Sequence, residues 1–222
     1  MGETSAAREF VGRGLACRRG GRLVFAGLDF ALAPGEALLL RGPNGSGKSS
    51  LLRLLAGLAR PEAGELLWDA EPVGRDREAH AARLHYLGHR DAAKGALTAA
   101  ENLRFWAELR GARAGAGSVA AALDTLGLGA LGDAPARHLS SGQRRRLALA
   151  RLLVSPAALW LLDEPAVGLD EASQAALGEM LARHREQGGM VALAAHGPVA
   201  LPGARELRLD AYASSRGLEI VA

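Results

Sequence analysis

The chain has a single cysteine, Cys17, among its 222 residues, so no internal disulfide can form. Because disulfides are rare in reducing compartments, this absence is consistent with a cytoplasmic protein. The N-terminus lacks the apolar h-region of a secretory signal. The longest uncharged stretch, Gly188–Ala204, contains two prolines and four glycines, and it cannot form a membrane helix of about 20 apolar residues. We therefore expect a chain that is soluble by itself and that reaches a membrane only through a partner.

A strong charge of either sign is also missing. The chain carries 27 basic and 24 acidic residues, a net charge of +3, and no long run of like charge. This excess is too small for binding to a nucleic acid backbone, which depends on many lysine and arginine contacts. The densest basic cluster, Arg144–Arg146, is assigned to the polar face of a helix. Hydrophobic residues make up 49% of the chain against 23% charged residues, which predicts a globular protein with a sizeable core.

Strand and helix signals alternate along the chain, without internal repeats or low-complexity linkers. Strands are predicted at Phe10–Ala16, Arg22–Leu32, Ala37–Leu40, Glu65–Trp68, Arg83–Leu87 and Met190–Ala195, followed by two C-terminal strand-like runs. Helices are predicted at Lys48–Leu58, Ser118–Leu126 and Glu171–Arg185, together with one capped by Thr98 and Glu101 and one that runs from a cap at Ser140 or Ser141 to Leu153. This alternation is typical of a parallel α/β core.

The segment Gly42–Ser49 matches the phosphate-binding pattern G-x-x-x-x-G-K-[ST] at every fixed position. Its glycines allow the backbone N–H groups to surround phosphates, and the helix that follows adds a partial positive charge. We expect Lys48 to reach the β- and γ-phosphates and the Ser49 hydroxyl to ligate Mg²⁺. The residues predicted to contact the nucleotide here are Gly42, Pro43, Asn44, Gly45, Ser46, Gly47, Lys48, Ser49 and Ser50.

A second segment, Leu159–Glu164, is an apolar run that ends in two adjacent carboxylates. A strand this apolar is normally buried and presents its end at a ligand crevice, so a surface turn before Pro165 is the weaker interpretation. Mg²⁺ prefers oxygen ligands and keeps its waters, which suits Asp163 as a metal residue. Glu164 is then predicted to be a catalytic residue, as the general base for an attacking water or as the group that orients it.

A third segment, Leu139–Gln143, reads as a capped helix N-terminus with exposed N–H groups. It is similar to the signature LSGGQ, with Ser141 in place of the first glycine. Together the three segments resemble the ATP-binding subunit of an ABC transporter, and the resemblance covers nearly the whole chain. It implies binding of ATP and Mg²⁺ by two copies arranged head to tail. The signature residues expected to contact the ATP of the other copy are Ser140, Ser141, Gly142 and Gln143.

The resemblance also implies the fold, an α/β P-loop NTPase with a mainly parallel core sheet, an N-terminal antiparallel β layer and a helical subdomain. It predicts a single ABC ATPase domain over residues 1–222. Within that domain, residues 1–89 and 156–222 form the core with the β layer. Residues from about 90 to 155 form the helical subdomain.

Smaller motifs of the family can also be assigned to individual residues of this chain. Gly168–Asp170 resembles the loop that touches the opposing copy, so Asp170 is expected at the nucleotide. His196 matches the histidine that contacts the γ-phosphate, and we expect it to be catalytic together with Glu164 and Lys48. Arg19 stands where many members carry an aromatic residue that stacks on adenine.

His89 is the main departure from the general family pattern, which ends this strand with a glutamine. Imidazole is a poor Mg²⁺ ligand, so His89 is expected to hydrogen-bond a water or a phosphate instead. Tyr86–His89 and Leu97–Trp106 are similar to the haem-exporter ATPases of bacterial cytochrome c maturation, and Gly27–Glu36 and the arginines after the signature agree. Phe105 and Trp106 could face a membrane partner or lie in the core of the helical subdomain.

The narrower resemblance implies an ATPase subunit that exports or delivers haem for c-type cytochromes. It implies integral membrane subunits as partners and a peripheral position on the cytoplasmic face of a bacterial inner membrane. Binding of haem by this chain is not expected, because there is no C-x-x-C-H and because His80, His85 and His138 read as structural or surface residues. One alternative is an ABC importer or exporter for another substrate, with glutamine expected at position 89. A remote alternative is a soluble ABC ATPase that acts on nucleic acid or ribosomes.

Overall fold

Two β-sheets form the framework, and the computed structural model describes residues 9–197, 199 and 201–213. The strands are β1 (Phe10–Arg19), β2 (Arg22–Leu32), β3 (Ala37–Arg41), β4 (Ala63–Trp68), β5 (Glu71–Pro72), β6 (Leu84–Leu87), β7 (Leu159–Asp163), β8 (Met190–Ala194) and β9 (Arg205–Arg208). Within the described residues, an antiparallel sheet has the order β2-β1-β4-β5 and a parallel sheet has the order β6-β7-β8-β3-β9. The predicted fold class, with a parallel core and an N-terminal antiparallel layer, is therefore confirmed.

Helices connect the strands and cover the parallel sheet. They are α1 (Lys48–Leu55), α2 (Arg77–Ala82), α3 (Ala99–Leu109), α4 (Ala116–Thr125), α5 (Ser141–Val154) and α6 (Glu171–Glu186). The predicted cap of α3 is confirmed, because Thr98 and Glu101 form a reciprocal capping box. The first helix ends before the predicted Leu58, since Gly57 adopts a left-handed φ of 71°. α2 was not predicted, and any second strand-like run after Ala213 lies outside the described residues.

The central strands β3, β7 and β8 of the parallel sheet are buried on both faces because they carry almost only leucine, alanine and other apolar residues, whereas the edge strand β9 is mostly exposed. Every residue of β7 and β8 is buried, as expected for parallel strands covered on both sides. Neighbouring residues alternate between two cores: Leu39 and Leu162 pack with the helices, whereas Leu38 and Leu161 pack with α1 and the antiparallel sheet. This double burial fixes the ends of β3, β7 and β8 relative to one another.

The helices α3, α4 and α5 lie between β6 and β7 in the chain and share the core on one face of the parallel sheet. Phe105 and Trp106 are only half-buried in α3. The ammonium of Lys94 lies 4.8 Å from the centre of the Phe105 ring, and the guanidinium of Arg151 lies 4.5 Å from that of Trp106. Neither ring is thus fully buried in the core. Within the described residues, no helix is both long and apolar enough to cross a membrane.

Two buried histidines serve the fold, which agrees with the structural interpretation. His80 Nε2 lies 2.8 Å from the backbone oxygen of Leu55, and His85 Nε2 lies 3.0 Å from that of Ser155. Burial, with a further contribution from the charge of Arg110, lowers the pKa of His85 to about 4. The folded chain therefore keeps this imidazole neutral at a pH where the unfolded chain protonates it.

We predict that His85 makes the protein less stable as the pH falls. Since its folded pKa lies below the unfolded value, its contribution is complete above about pH 6.5 and decreases from there toward pH 4. Between about pH 7.5 and about pH 5 this residue should cost roughly 2 kcal/mol of unfolding free energy. Urea denaturation of the His85→Gln variant should show a smaller loss over this range than the wild type. Equal losses would contradict the prediction, and His138→Gln, at an exposed position, is the control.

Candidate functional site

The segment between β3 and α1 has the backbone that a phosphate-binding loop requires. Gly42, Gly45 and Gly47 have φ values of 141°, 82° and 102°, which other residues rarely adopt. A Cβ on Gly42 would lie 2.7 Å from the Ser46 hydroxyl oxygen, and one on Gly47 would lie 2.6 Å from a methyl group of Val24. Glycine is thus needed at Gly42 and Gly47 both for conformation and for space, and at Gly45 for conformation alone.

Lys48 is buried at the centre of this loop and contacts the loop backbone. Its Nζ donates to the carbonyl oxygens of Gly42 at 2.8 Å and Pro43 at 3.1 Å. Burial lowers the pKa of Lys48, while the carboxylates of Glu164 and Asp163 act in the opposite direction. The Ser46 hydroxyl oxygen is buried and has no hydrogen-bond partner among the described residues. A buried ammonium, an unsatisfied hydroxyl and the start of α1 together suit an anionic ligand.

The neighbouring strands β7 and β8 place an acid and a histidine in contact at their carboxyl ends. Glu164 follows β7 and adopts a left-handed φ of 52°, and its N–H donates to the backbone oxygen of Ala194 at 2.9 Å. Its Oε1 lies 2.9 Å from Nε2 of His196, which follows β8. Since β3 pairs with β8, the phosphate-binding loop leaves the same edge of the sheet. The structure therefore brings Lys48, Glu164 and His196 to one edge, as the sequence predicts.

The oxygen-bearing residues at this edge fit a hard cation that keeps most of its waters. Asp163 is buried at the end of β7, and Ser49 is the second residue of α1. Both offer oxygen atoms, which Mg²⁺ prefers. No cluster of three or more His, Cys, Asp or Glu residues occurs in the described part of the chain, so these two oxygens are not part of a closed protein cage.

The signature segment lies at the N-terminus of α5 and is closed by a capping box. Ser140, rather than Ser141, is the cap: its N–H donates to Oε1 of Gln143 at 2.8 Å, and the N–H of Gln143 donates to the Ser140 hydroxyl at 3.2 Å. A Cβ on Gly142 would lie 3.1 Å from the backbone oxygen of Gly168, so the loop before α6 is adjacent. No hydrogen bond in the described part of the chain joins this segment to the phosphate-binding loop.

Asp170 begins α6 as its cap. Its Oδ1 accepts a hydrogen bond from the N–H of Ser173 at 2.9 Å. Hydrogen bonding by Ser173, first by its side chain and then by this N–H, lowers the pKa of the exposed Asp170 carboxylate. The signature residues Ser140 and Ser141 are thus exposed, as is Asp170, and the contact of these residues with a second copy of the chain stays a prediction.

Arg19 and His89 are both exposed. Arg19 ends β1 at the turn into β2, and His89 follows β6. Within the described residues neither side chain makes a hydrogen bond or an ion pair. Both remain predictions as nucleotide-contacting residues.

Arg145 corrects the interpretation of Arg144–Arg146 as the polar face of a helix. Its side chain is only 7% exposed, and its guanidinium contacts the segment after β6 and the end of β7 with the residues that follow it. Arg144 and Arg146 are half-buried and donate to the backbone oxygens of Leu139 and Leu126. The sequence contains a signal for this difference, because position 145 falls in the buried helical stripe completed by Ala148, Leu149 and Leu152.

Arg41 is a second arginine that the sequence reasoning missed. It ends β3, and its Nη1 donates to the backbone oxygens of Ala195 at 3.2 Å and Gly197 at 2.9 Å. Its Nε lies 3.6 Å from Oε1 of Glu206. Arg41 thus holds both neighbours of His196, and no local pattern in the sequence indicates this contact.

Comparison with known proteins agrees with this fold. Residues 25–167 match the family model described as ABC transporter. A solved structure, a putative ABC transporter ATP-binding protein from Pyrococcus furiosus, superposes with a TM-score of 0.83 at 21% identity and covers 93% of this chain and 100% of that one. The chain belongs to the ABC transporter family. It is therefore an ATP-binding and ATP-hydrolysing protein.

Curated relatives narrow the assignment. The chain is 56% identical over 212 residues to the cytochrome c biogenesis ATP-binding export protein CcmA of Paramagnetospirillum magneticum, covering 94% of this chain and 97% of the relative. It is 55% identical over 204 residues to the protein of the same name in Rhodospirillum rubrum, covering 92% and 87%. Within the ABC transporter family, this chain thus groups with the CcmA export proteins.

Proposed function

We propose that this chain is the ATP-hydrolysing subunit of a membrane complex that exports or delivers haem for the biogenesis of c-type cytochromes. The observation that carries the ATPase part is the contact of Glu164 with His196 at the strand ends next to the phosphate-binding loop. The name and the near full-length similarity of the relatives support the cytochrome c part. The alternative is an ABC importer or exporter for another substrate.

Hydrolysis requires a water activated beside the terminal phosphate. In our proposal the loop N–H groups and Lys48 hold the phosphates, and Lys48 exchanges the carbonyls of Gly42 and Pro43 for phosphate oxygens. Glu164 accepts a proton from the water as its oxygen bonds to the γ-phosphorus, and the bond from that phosphorus to the β–γ bridging oxygen breaks. His196 orients Glu164 and the γ-phosphate. The products are ADP and inorganic phosphate.

Mg²⁺ is proposed to bind at Ser49 and, through water, at Asp163. When bound, it supplies positive charge that offsets the negative charge of the phosphates. The remaining loop residues surround the nucleotide, and all of them except Pro43, which has no N–H, contribute backbone N–H groups. Arg19 lies beside the adenine, and His89 hydrogen-bonds a water or a phosphate. The loop residues in question are Gly42, Pro43, Asn44, Gly45, Ser46, Gly47 and Ser50.

Two copies of the chain are proposed to close head to tail around ATP. Support comes from Ser140–Gln143 and Asp170, which are accessible and which, in the part of the chain that the structure describes, have no hydrogen bond to the phosphate-binding loop of their own chain. ABC ATPase subunits of export systems dimerise and work with membrane partners. We further propose that residues 90–155 move as a helical subdomain against the rest, and that Phe105 and Trp106 contribute to the face toward the membrane subunits.

The proposed location is the cytoplasmic face of a bacterial inner membrane, with attachment through integral membrane subunits. Haem itself is proposed to bind to those partners and not to this chain. In support, Nε2 of His80 and Nε2 of His85 already contact backbone oxygens inside the protein. The net charge of +3 also argues against nucleic acid as a partner.

Copurification tests this proposal. Tagged Glu164→Gln protein is isolated with ATP from detergent-solubilised native membranes, with partners identified by mass and haem by absorbance. We expect multi-span membrane subunits and a haem-loaded periplasmic chaperone. The Lys48→Ala protein is the matched control, since it should recover fewer partners if ATP-dependent closure tightens the complex. Recovery of an unrelated permease would contradict haem as the substrate, and recovery of ribosomes or DNA would contradict the transporter function.

A further inference from the structure

All five N–H groups of Arg145 have an acceptor. The Nη2 group donates to the backbone oxygens of Asp163 and Glu164, both at 2.8 Å. The Nη1 group donates to the backbone oxygen of Gly88 at 3.1 Å and to Oδ1 of Asp91 at 3.3 Å. The Nε group completes the set at 3.4 Å from the backbone oxygen of Pro165. A guanidinium has five donors in a fixed plane, so this site uses the whole geometry of arginine.

Burying such a charge is unfavourable, because the ion loses its hydration. The side chain of Arg145 is 7% exposed, and the one carboxylate within 4.0 Å of it in the described residues is Asp91. Its neighbours on the buried stripe of α5 are apolar, including Ala148 and Leu152. An apolar residue at this position would complete the core of α5, so stability alone does not explain an arginine here.

Arg145 holds the part of the chain that aims Glu164. Glu164 has a left-handed backbone, which is unfavourable for a residue with a side chain and persists only where neighbouring groups hold it. The carbonyl before this residue and its own carbonyl both accept from the same Nη2 group. The direction of the Glu164 side chain, toward His196, therefore depends on Arg145.

The other end of the guanidinium holds the segment that contains His89. Gly88 and Asp91, which accept from Nη1, lie on either side of His89. A displacement of this segment therefore moves one side of the guanidinium, whose opposite side fixes Glu164. The two segments have no other hydrogen bond to each other within the described residues.

We propose that Arg145 is a positioning residue for hydrolysis, which orients Glu164 and makes its orientation depend on the segment 88–91. This inference rests on the proposed ATPase function of Glu164. The buried Arg145 side chain then physically connects the segment around His89 with the catalytic edge of the sheet.

The Arg145→Lys variant tests the positioning role. Lysine keeps the charge but has three donors on a single atom, so it cannot reach all five acceptors. We expect kcat for ATP hydrolysis to fall about 100-fold, because a small misplacement of a catalytic group has an effect of this size. The Kd for ATP should change by no more than about twofold, since the phosphate-binding loop is not touched. Arg146→Lys on the same helix, at a half-buried position with a single backbone contact, is the matched control and should keep kcat within about twofold.

A double-mutant comparison separates positioning from a general structural role. If Arg145 acts through Glu164, then Arg145→Lys should reduce the residual single-turnover rate of Glu164→Gln by less than about threefold. A full further reduction of about 100-fold would show that Arg145 acts elsewhere and would overturn the proposal. An unchanged kcat of Arg145→Lys in the otherwise active protein would overturn it as well. Absence of hydrolysis by the wild type would instead contradict the proposed function itself.

The Asp91→Asn variant tests the connection between Arg145 and the segment 88–91. This substitution keeps the size of the side chain and removes the negative charge of the acceptor, whose Oδ1 lies 3.3 Å from Nη1 of Arg145. We expect kcat to fall about tenfold at unchanged ATP affinity, in line with the loss of one charge-assisted hydrogen bond. An unchanged kcat would overturn the link. This variant also decides the positioning role if Arg145→Lys fails to unfold cooperatively.

Discussion

The Glu164→Gln variant is expected to bind ATP as tightly as the wild type and to hydrolyse it at least about 100-fold more slowly. Glutamine keeps the shape of the side chain, but its amide cannot take a proton from the attacking water. The contact with His196 is partly exposed, so its loss should have little effect on stability. Because ATP then persists between the two copies, a closed dimer should accumulate. Single-turnover phosphate release and size-exclusion chromatography with ATP measure the two effects.

Glu179→Gln is the control for this experiment, because Glu179 is an exposed glutamate in the middle of α6. It should hydrolyse ATP at the wild-type rate and should not accumulate the dimer. Normal turnover by Glu164→Gln would remove Glu164 from the catalytic role. Loss of ATP binding in that variant would show that the carboxylate acts in the ground state, contrary to our mechanism.

The Lys48→Ala variant should lose most of its affinity for ATP. In the structure the Lys48 ammonium is buried and makes two hydrogen bonds, to Gly42 and Pro43, that phosphate oxygens can replace. Hydrogen bonds that involve a charged group contribute about 1.5–3 kcal/mol each, so the loss of two should raise the Kd about 100-fold or more. Isothermal titration calorimetry with ATP measures this change, and hydrolysis should become undetectable.

The chain offers a matched control in Lys94, whose exposed side chain lies over the Phe105 ring. Lys94→Ala removes the same side chain away from the phosphate-binding loop and should leave the Kd for ATP within about twofold. Unchanged ATP binding by Lys48→Ala would contradict the assignment of the loop. A thermal unfolding curve guards against a simple folding defect, because the substitution also leaves two loop carbonyls without their donor.

Local patterns in the sequence predicted those parts of the structure that depend on near neighbours. The bounds of β2 agree at both ends, and the capping box of Thr98 with Glu101 forms as expected. The glycines of Gly42–Ser49 adopt the left-handed backbone that their motif requires. In each case the interaction spans only a few residues, so its physical cause is visible in the sequence itself.

Contacts between distant segments could not be predicted in the same way. The donors of Arg145 reach acceptors at Gly88 and Glu164, which are separated from it and from each other along the chain. The hydrogen bonds of Arg41 to the two neighbours of His196 span more than 150 residues. Family resemblance assigned His196 to the site, but the contact with Glu164 became visible only once β7 and β8 were placed side by side.

The strand order of the parallel sheet has a consequence for a chain that is still being made. β3 leads into the phosphate-binding loop and β7 delivers Glu164, but in the finished sheet β8 lies between them. Parallel strands distant in sequence join late in folding, since a long loop must first close. A nascent chain on the ribosome therefore cannot complete its catalytic edge until Met190–Ala194 has emerged from the exit tunnel. Incomplete chains should consequently not consume cellular ATP.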